Sequence, residues 1–324
     1  MKAIVYESYG GPEVLQLRDI ARPRPRSKEL LIRVRAVEVT KSDCEMRSFR
    51  YSVNWFWLPM RLAMGVRKPR RQVLGFYFAG EIEEVGAGVH GFAPGQAVFG
   101  SSNFHLGAYA EYMTVPASAA LAAKPENMTF PEAAAVPLGG WNALHFMDQA
   151  ALNPGEEILI NGAGGSIGSH AIQIARARGA TVTAVDRADK ERALRAFGAH
   201  DFIDYETRDF TALDRHWDVI FDMVPGSPYR RCIQALKPGG RYLSGNPRLS
   251  TMLRTLLTNR FTDKRATFAF AKETRAALAQ LTEMIEAGQL GSIVDAVYPL
   301  EQAAEAHERV DRELRVGAIV LEVD

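Results

Sequence analysis

The chain has only two cysteines, Cys44 and Cys232, among 324 residues. Two thiols build neither a disulfide framework nor a four-cysteine zinc lobe, and a reducing, cytoplasmic setting is the simplest expectation. No charge of one sign dominates. Lys+Arg is 39 against Asp+Glu 38, a net +1, which argues against a nucleic-acid or membrane-surface partner for the chain as a whole. No stretch approaches the ~18 apolar residues of a membrane span. The opening MKAIVYESYG alternates like a strand and carries no signal-peptide run. Repeats and low-complexity tracts are also missing. What the chain does have is apolar material: 47% hydrophobic against 24% charged, enough for sizeable cores. Its length suits two domains.

Residues 1–120 read as a β-rich domain. MKAIVYE and ELLIRVRAVEV alternate apolar with polar, and VGAGVHGFAPGQAVFG strings turns between short strands. The segment Arg47 to Arg71 interrupts this pattern and is both aromatic and basic. It reads equally as a packed surface segment or as a lid over a substrate pocket, with Trp55, Phe56 and Trp57 as its flat apolar wall. From about Ala120 the pattern changes. Thr129, Pro131 and Glu132 mark a helix start, and an apolar-patterned helix follows. EEILING, ATVTAVD, HDFIDY, WDVIFDMV and GGRYLSG are short apolar strands separated by helical segments, which predicts βαβ units and a parallel sheet over 121–269. KETRAALAQLTEMIEAGQL predicts a helix ending near Gly288. The tail RVGAIVLEVD has the flavour of the N-terminal strands, so residues 270–324 are expected to return to the first domain.

The most informative segment is GAGGSIGSHAIQIARARGATVTAVDR. It follows a strand and opens a helix. Its loop, Gly162, Ala163, Gly164, Gly165, Ser166, Ile167 and Gly168, carries glycines at G-x-x-G-x-x-G spacing. A pyrophosphate fits such a helix N-terminus, where N–H groups and the helix dipole face the anion. Asp186 ends the next strand, about 20 residues on, where an acid holds ribose hydroxyls and repels a 2′-phosphate. That favours NADH over NADPH. Arg187 follows and offers a cation that offsets the repulsion. Tyr205, ending HDFIDY, is grouped with the cofactor residues.

These motifs together resemble the medium-chain dehydrogenase/reductase superfamily, in its zinc-independent quinone oxidoreductase-like branch. The likeness runs nearly end to end, through MKAIVYESYGGPEVLQL, ELLIRVRAVEVTKSD, FAPGQAVFG, GAYAEYMTVP, PEAAAVPLGGWNAL, LINGAGGSIGSHAIQIA and ALKPGG. It implies an α/β protein: a Rossmann-type doubly wound parallel sheet plus a β-rich GroES-like catalytic domain completed by the C-terminus. It also implies a homodimer. Zinc alcohol dehydrogenases of the superfamily have Gly-His-Glu where this chain has Gly75-Phe76-Tyr77, and a ligand cysteine where it has Thr40. Phenylalanine has no donor atom and a hydroxyl replaces thiolate poorly, so no zinc is expected. Zinc-free relatives commonly carry Asn at Thr40 and Asp at Tyr77, so the pocket departs from the branch's own pattern. Trp141-Asn142 stands where a threonine often contacts the nicotinamide region, which groups Asn142 with the cofactor residues.

The stretch VLGFYFAG supplies the catalytic candidate Tyr77. A strand starting at Gly75 sends Tyr77 to the face opposite Phe76 and Phe78, and a neutral phenol can donate to a developing oxyanion. Thr40 and Asp43 lie in the family's active-site segment, though Asp43 equally suits a helix cap. The expected function is an NAD(P)H-dependent reductase of quinones or α,β-unsaturated carbonyls, with a small-molecule acceptor, and neither nucleic acid nor membrane as partner. The alternatives are an alcohol/ketone oxidoreductase of the same fold and a non-catalytic dinucleotide-binding or redox-sensing protein.

Overall fold

A computed structural model describes residues 1–51, 57–246, 248–269 and 271–324. The chain begins with β1 (Lys2–Val5), β2 (Gln16–Asp19), β3 (Glu29–Val39), α1 (Lys41–Ser48), α2 (Trp57–Met64), β4 (Tyr77–Val85), β5 (Ala97–Ser101), β6 (Tyr112–Pro116) and β7 (Leu121–Ala123). It continues through α3 (Phe130–Ala134), α4 (Val136–Ala150), β8 (Glu157–Asn161), α5 (Ser166–Ala177), β9 (Thr181–Asp186), α6 (Glu191–Phe197), β10 (Asp201–Asp204), β11 (Trp217–Asp222), α7 (Tyr229–Gln234) and β12 (Leu236–Ser244). It closes with α8 (Leu249–Phe261), β13 (Arg265–Phe268), α9 (Arg275–Glu286), β14 (Val294–Pro299), α10 (Ala303–Asp311) and β15 (Ala318–Glu322).

The strand-helix alternation builds a parallel sheet in the order β10-β9-β8-β11-β12-β13. Chain order runs outward in both directions from β8 and β11, so a topological switch point lies between them, the usual place for a ligand in an open α/β sheet. Ile158, Leu159 and Ile160 of β8 are fully buried, as expected for a strand covered on both faces. The second sheet runs β14-β15-β3-β4-β5-β7, with β6 also on β3. Its β15 pairs antiparallel with β3, Ile319 opposite Val39, so the tail lies in the sheet of the first strands. The structure is thus α/β, with a parallel Rossmann-type sheet beside a β-rich GroES-like body.

Two elements differ from the sequence reading. The helix starting at Thr129 has its expected capping box with Glu132, but it breaks into α3 and α4 at Ala135. Pro137 has no N–H to continue the ladder. Residues 249–268, not assigned from sequence, form α8 and the edge strand β13. Part of the aromatic, basic segment packs down, while Trp57, Leu58, Leu62 and Val66 stay 42–61% exposed. Phe49 stands edge-on to Tyr9, Tyr51 and Trp57, and the Arg61 guanidinium lies 4.4 and 4.3 Å above the Tyr9 and Phe49 rings. Trp55 and Phe56 lie outside the described residues.

Candidate active site

The loop joining β8 to α5 sits at the switch point. Helix α5 begins at Ser166, and its N-cap, Gly165, offers no side chain to the first N–H groups, which stay available to an anion. A Cβ on Gly168 would stand 2.5 Å from the Gly162 carbonyl oxygen, and one on Gly164 would stand 2.6 Å from Lys190 and 2.8 Å from Asp186. Beside Gly165 the space is open, the nearest atom to an added Cβ being the Gly162 oxygen at 3.9 Å. Ala163 and Ser166 are buried and Ile167 half-buried around this turn. The residues fit a dinucleotide pyrophosphate.

Asp186 ends β9 with three donors on its carboxylate. Oδ2 accepts the Gly164 N–H at 2.7 Å, and Oδ1 accepts the Arg187 N–H at 2.9 Å and pairs with Lys190 Nζ at 3.0 Å. Asp186 and Lys190 are both buried. Arg187 turns its guanidinium to Asp189, 3.3 Å away. The Tyr205 N–H donates to the Asp186 carbonyl at 3.2 Å, and its ring stays 53% exposed, a flat face beside the acid. Lys190 was missed from sequence, although an acid-lysine pair four residues apart is a readable signal.

The loop also touches the other sheet. The Gly317 N–H, just before β15, donates to the Gly164 carbonyl at 2.8 Å. Glu38 on β3 is buried against Ser166. Burial pushes its carboxyl up to about 8, with the Ser166 hydroxyl and Arg315 pulling the other way. Even so, Glu38 Oε2 and Ser166 Oγ complete no hydrogen bond of ordinary length. Beneath the loop, Asp222 accepts from Asn161, Ser227 and Tyr242 at 2.9, 3.0 and 2.7 Å, tying together the ends of β8, β11 and β12.

Tyr77 opens β4 and is 9% exposed. Its hydroxyl donates to Glu273 Oε1 at 2.7 Å, and its ring lies 6.3 Å from Trp141. Burial raises its pKa well above 10, reinforced by Glu273, so it stays a neutral phenol. The expected alternation fails at one position. Gly75 has φ +99°, a left-handed turn, and the strand starts only at Tyr77. Phe76 therefore sits beside Tyr77, ring centroids 6.1 Å apart, instead of on the opposite face. Only Phe78, fully buried, points the other way.

Thr40 and Asp43 form the capping box of α1, the structural reading already open for Asp43. Thr40 is the N-cap of α1. Its hydroxyl donates to Asp43 Oδ2 at 2.6 Å and accepts the Asp43 N–H at 3.1 Å, while Asp43 Oδ2 also accepts the Thr40 N–H at 3.0 Å. Asp43 Oδ1 accepts the Gly75 N–H at 3.0 Å. The Thr40 hydroxyl proton is thus directed at Asp43. Burial lifts the Asp43 carboxyl to about 6, against the hydrogen bonds from Thr40 and Gly75. Asn142 donates its amide to the Leu138 carbonyl of its own helix, 2.9 Å away.

Comparison with known proteins places this geometry. Residues 26–126 match the alcohol dehydrogenase GroES-like domain family, and residues 197–321 match the zinc-binding dehydrogenase family. The quinone oxidoreductase of Rattus norvegicus is 31% identical over 96% of this chain and 94% of its own. The chain belongs to the medium-chain dehydrogenase/reductase superfamily, in its quinone oxidoreductase-like branch. Another relative of this superfamily, the NADPH-dependent alkenal/one oxidoreductase of Arabidopsis thaliana, is 28% identical over 99% of this chain and 79% of its own. The solved structure of the quinone oxidoreductase from Coxiella burnetii superposes with TM-score 0.88 at 28% identity, covering 100% of this chain and 99% of that one. An NAD-dependent alcohol dehydrogenase superposes at 0.84 and 29% identity, with both chains fully covered at 100%. Membership makes the protein an NAD(P)H-using oxidoreductase. Both chemistries occur among its neighbours, so its own residues must separate them. Where the superfamily's zinc members hold metal, this chain presents Thr40, tied to Asp43, and Phe76, with no donor atom. Among the described residues no group of His, Cys, Asp or Glu is arranged to hold a metal.

Proposed function

We propose that the protein is a zinc-independent NAD(P)H-dependent reductase of quinones or α,β-unsaturated carbonyls. The observation that carries this reading is Tyr77: a buried neutral phenol, hydrogen-bonded to Glu273, stands on the strand where zinc relatives carry ligands. The bound cofactor would supply hydride to a conjugated acceptor, whose oxygen gains negative charge as hydride arrives. The chain must then stabilise that oxygen and deliver a proton. Tyr77 can donate to it by releasing Glu273, whose carboxylate leaves the phenol pre-oriented. The rings of Phe76, Tyr77 and Trp141 give an apolar, aromatic setting suited to a flat acceptor. The names of the rat, Coxiella and Arabidopsis relatives support the same substrate class.

Asp186 supports use of NADH, because its carboxylate accepts from a free ribose diol. Lys190 tempers that preference. A paired carboxylate repels a 2′-phosphate less than a lone one, so NADPH is expected as a working alternative. The test is a panel of enones, quinones, ketones and alcohols with both cofactors. Reduction of enones or quinones supports the proposal. Turnover confined to alcohols and ketones, or no turnover with retained cofactor binding, overturns it in favour of an alcohol dehydrogenase or a binding protein.

A further inference from the structure

Helix α5 meets the β-rich sheet at its first turn. Gly317, leading into β15, bridges Gly165 in parallel and donates its N–H to the Gly164 carbonyl at 2.8 Å. Further along β15, Val320 pairs with Glu38 of β3. That register sets the Glu38 carboxyl against Ser166, the first residue of α5. Glu38 is 1% exposed and Ser166 5%. From α4, a Cβ on Gly139 would stand 2.7 Å from Ser166 Oγ and 2.4 Å from His170 Nδ1. Glu38 Oε2, Ser166 Oγ and His170 Nε2 are all buried without a hydrogen-bond partner. The cation that bears on Glu38 is Arg315, itself turned to the Val310 carbonyl at 3.1 Å and to Glu313 at 3.4 Å.

A buried carboxyl with so little to answer it is more stable with its proton on. Burial pushes it up to about 8; Ser166 and Arg315 oppose the rise and Asp43 of α1 adds to it. The other titratable groups around it stay neutral. Burial keeps the Tyr77 and Tyr109 phenols protonated and favours uncharged His170. Gly165 leaves the first N–H groups of α5 uncapped, so a pyrophosphate and an ionised Glu38 are two anions drawn to one positive helix end.

We propose that the dinucleotide and the Glu38 charge exclude each other at this helix end, which makes Glu38 a positioning residue that holds its proton whenever the cofactor is tightly bound. Binding at alkaline pH then takes a proton from water onto the Glu38 carboxylate. By linkage, the bound cofactor makes that proton harder to remove. The inference rests on dinucleotide binding at the glycine loop, not on the identity of the acceptor.

The test reads binding, not turnover. Calorimetric titration of the full chain with NADH, in two buffers of different ionisation heat, counts the protons. At about pH 6.5 none is expected. At about pH 8.5 roughly half a proton per site should be taken up, and Kd should weaken about five- to tenfold between about pH 6.5 and about pH 9.5. ADP-ribose, which carries the pyrophosphate without the nicotinamide, should show the same uptake. Glu38→Gln puts a neutral side chain of the same shape in place, so its Kd should stay flat across that range, with no uptake. The wild-type count stands without any variant. A wild-type Kd flat in pH overturns the proposal. So does an uptake that persists in Glu38→Gln, which places the proton elsewhere. Failure of NADH and NADPH to bind at any pH would overturn the cofactor reading along with it.

Discussion

The Asp186–Lys190 pair gives a sharp expectation for Asp186→Ser. Both side chains are under 10% exposed and 3.0 Å apart, so the pair is poorly screened. Removing the carboxylate strands a buried ammonium, at about 3–5 kcal/mol for a buried pair broken on one side. A serine hydroxyl accepts a bond from Lys190 or Gly164 but carries no charge, so most of that loss should remain. For a chain of this size the apo Tm should fall by roughly 5 °C or more. The same substitution leaves Lys190 an unanswered cation where the acid stood, while Arg187 stays paired with Asp189 nearby. A ligand that brings negative charge there should recover stability that a neutral diol cannot. NADPH is therefore expected to raise the variant's Tm well beyond NADH, and the NADPH/NADH affinity ratio should shift at least tenfold, about 1.4 kcal/mol. Thermal shift and cofactor titration by fluorescence read both quantities. An unchanged apo Tm would show that the pair is not coupled. Equal stabilisation by the two cofactors, or a wild type already binding NADPH tenfold more tightly, would refute the account of the acid.

Three further outcomes are expected. Tyr77→Phe keeps the ring against Trp141 and deletes only the hydroxyl, so kcat should drop tenfold or more, within the ~3 kcal/mol of one lost oxyanion donor, while cofactor Kd holds; full activity would leave Tyr77 a wall residue. Glu38→Gln removes a carboxyl whose folded pKa, about 8, exceeds its unfolded value near 4.3, so its own contribution to wild-type stability is fully present below that unfolded value and is lost as pH rises toward 8. The variant should accordingly gain about 2 kcal/mol or more on wild type at pH 8 and almost nothing at pH 4.5 in urea titrations; parallel pH profiles would show that the side chain is not buried neutral. Prolonged treatment with a strong zinc chelator should leave activity intact, and loss of one tightly bound zinc per chain together with activity would overturn the zinc-free reading.

Much of the architecture was legible because it is local. Period-two strands, the change to strand-helix alternation after residue 120, and a glycine turn between a strand and a helix are all visible in windows of a few residues. The loop and Asp186 belong to that class. Glu273 is not legible, because it meets Tyr77 across 196 positions of sequence, and no window shows it. Glu38 and Gly317 reach the loop only once β3 and β15 are paired. The capping role of Thr40 and Asp43 was open to a local reading, since the threonine and the acid stand at N-cap and N3. Resemblance to metal-ligand positions pulled the two toward catalysis. The hydrogen bonds give both residues a structural place at the helix start.

Helix α8 marks the limit of periodicity more sharply. LSTMLRTLLTNRF carries a clear face of leucines at helical spacing, and on sequence alone such a face is assigned to the core. The fold reverses the assignment: the helix lies against β13 with Thr255 and Thr258 buried, the Thr258 hydroxyl 2.8 Å from that of Tyr229. A hydrophobic stripe establishes that a face wants cover, not which surface provides it. Here the protein's own core does not.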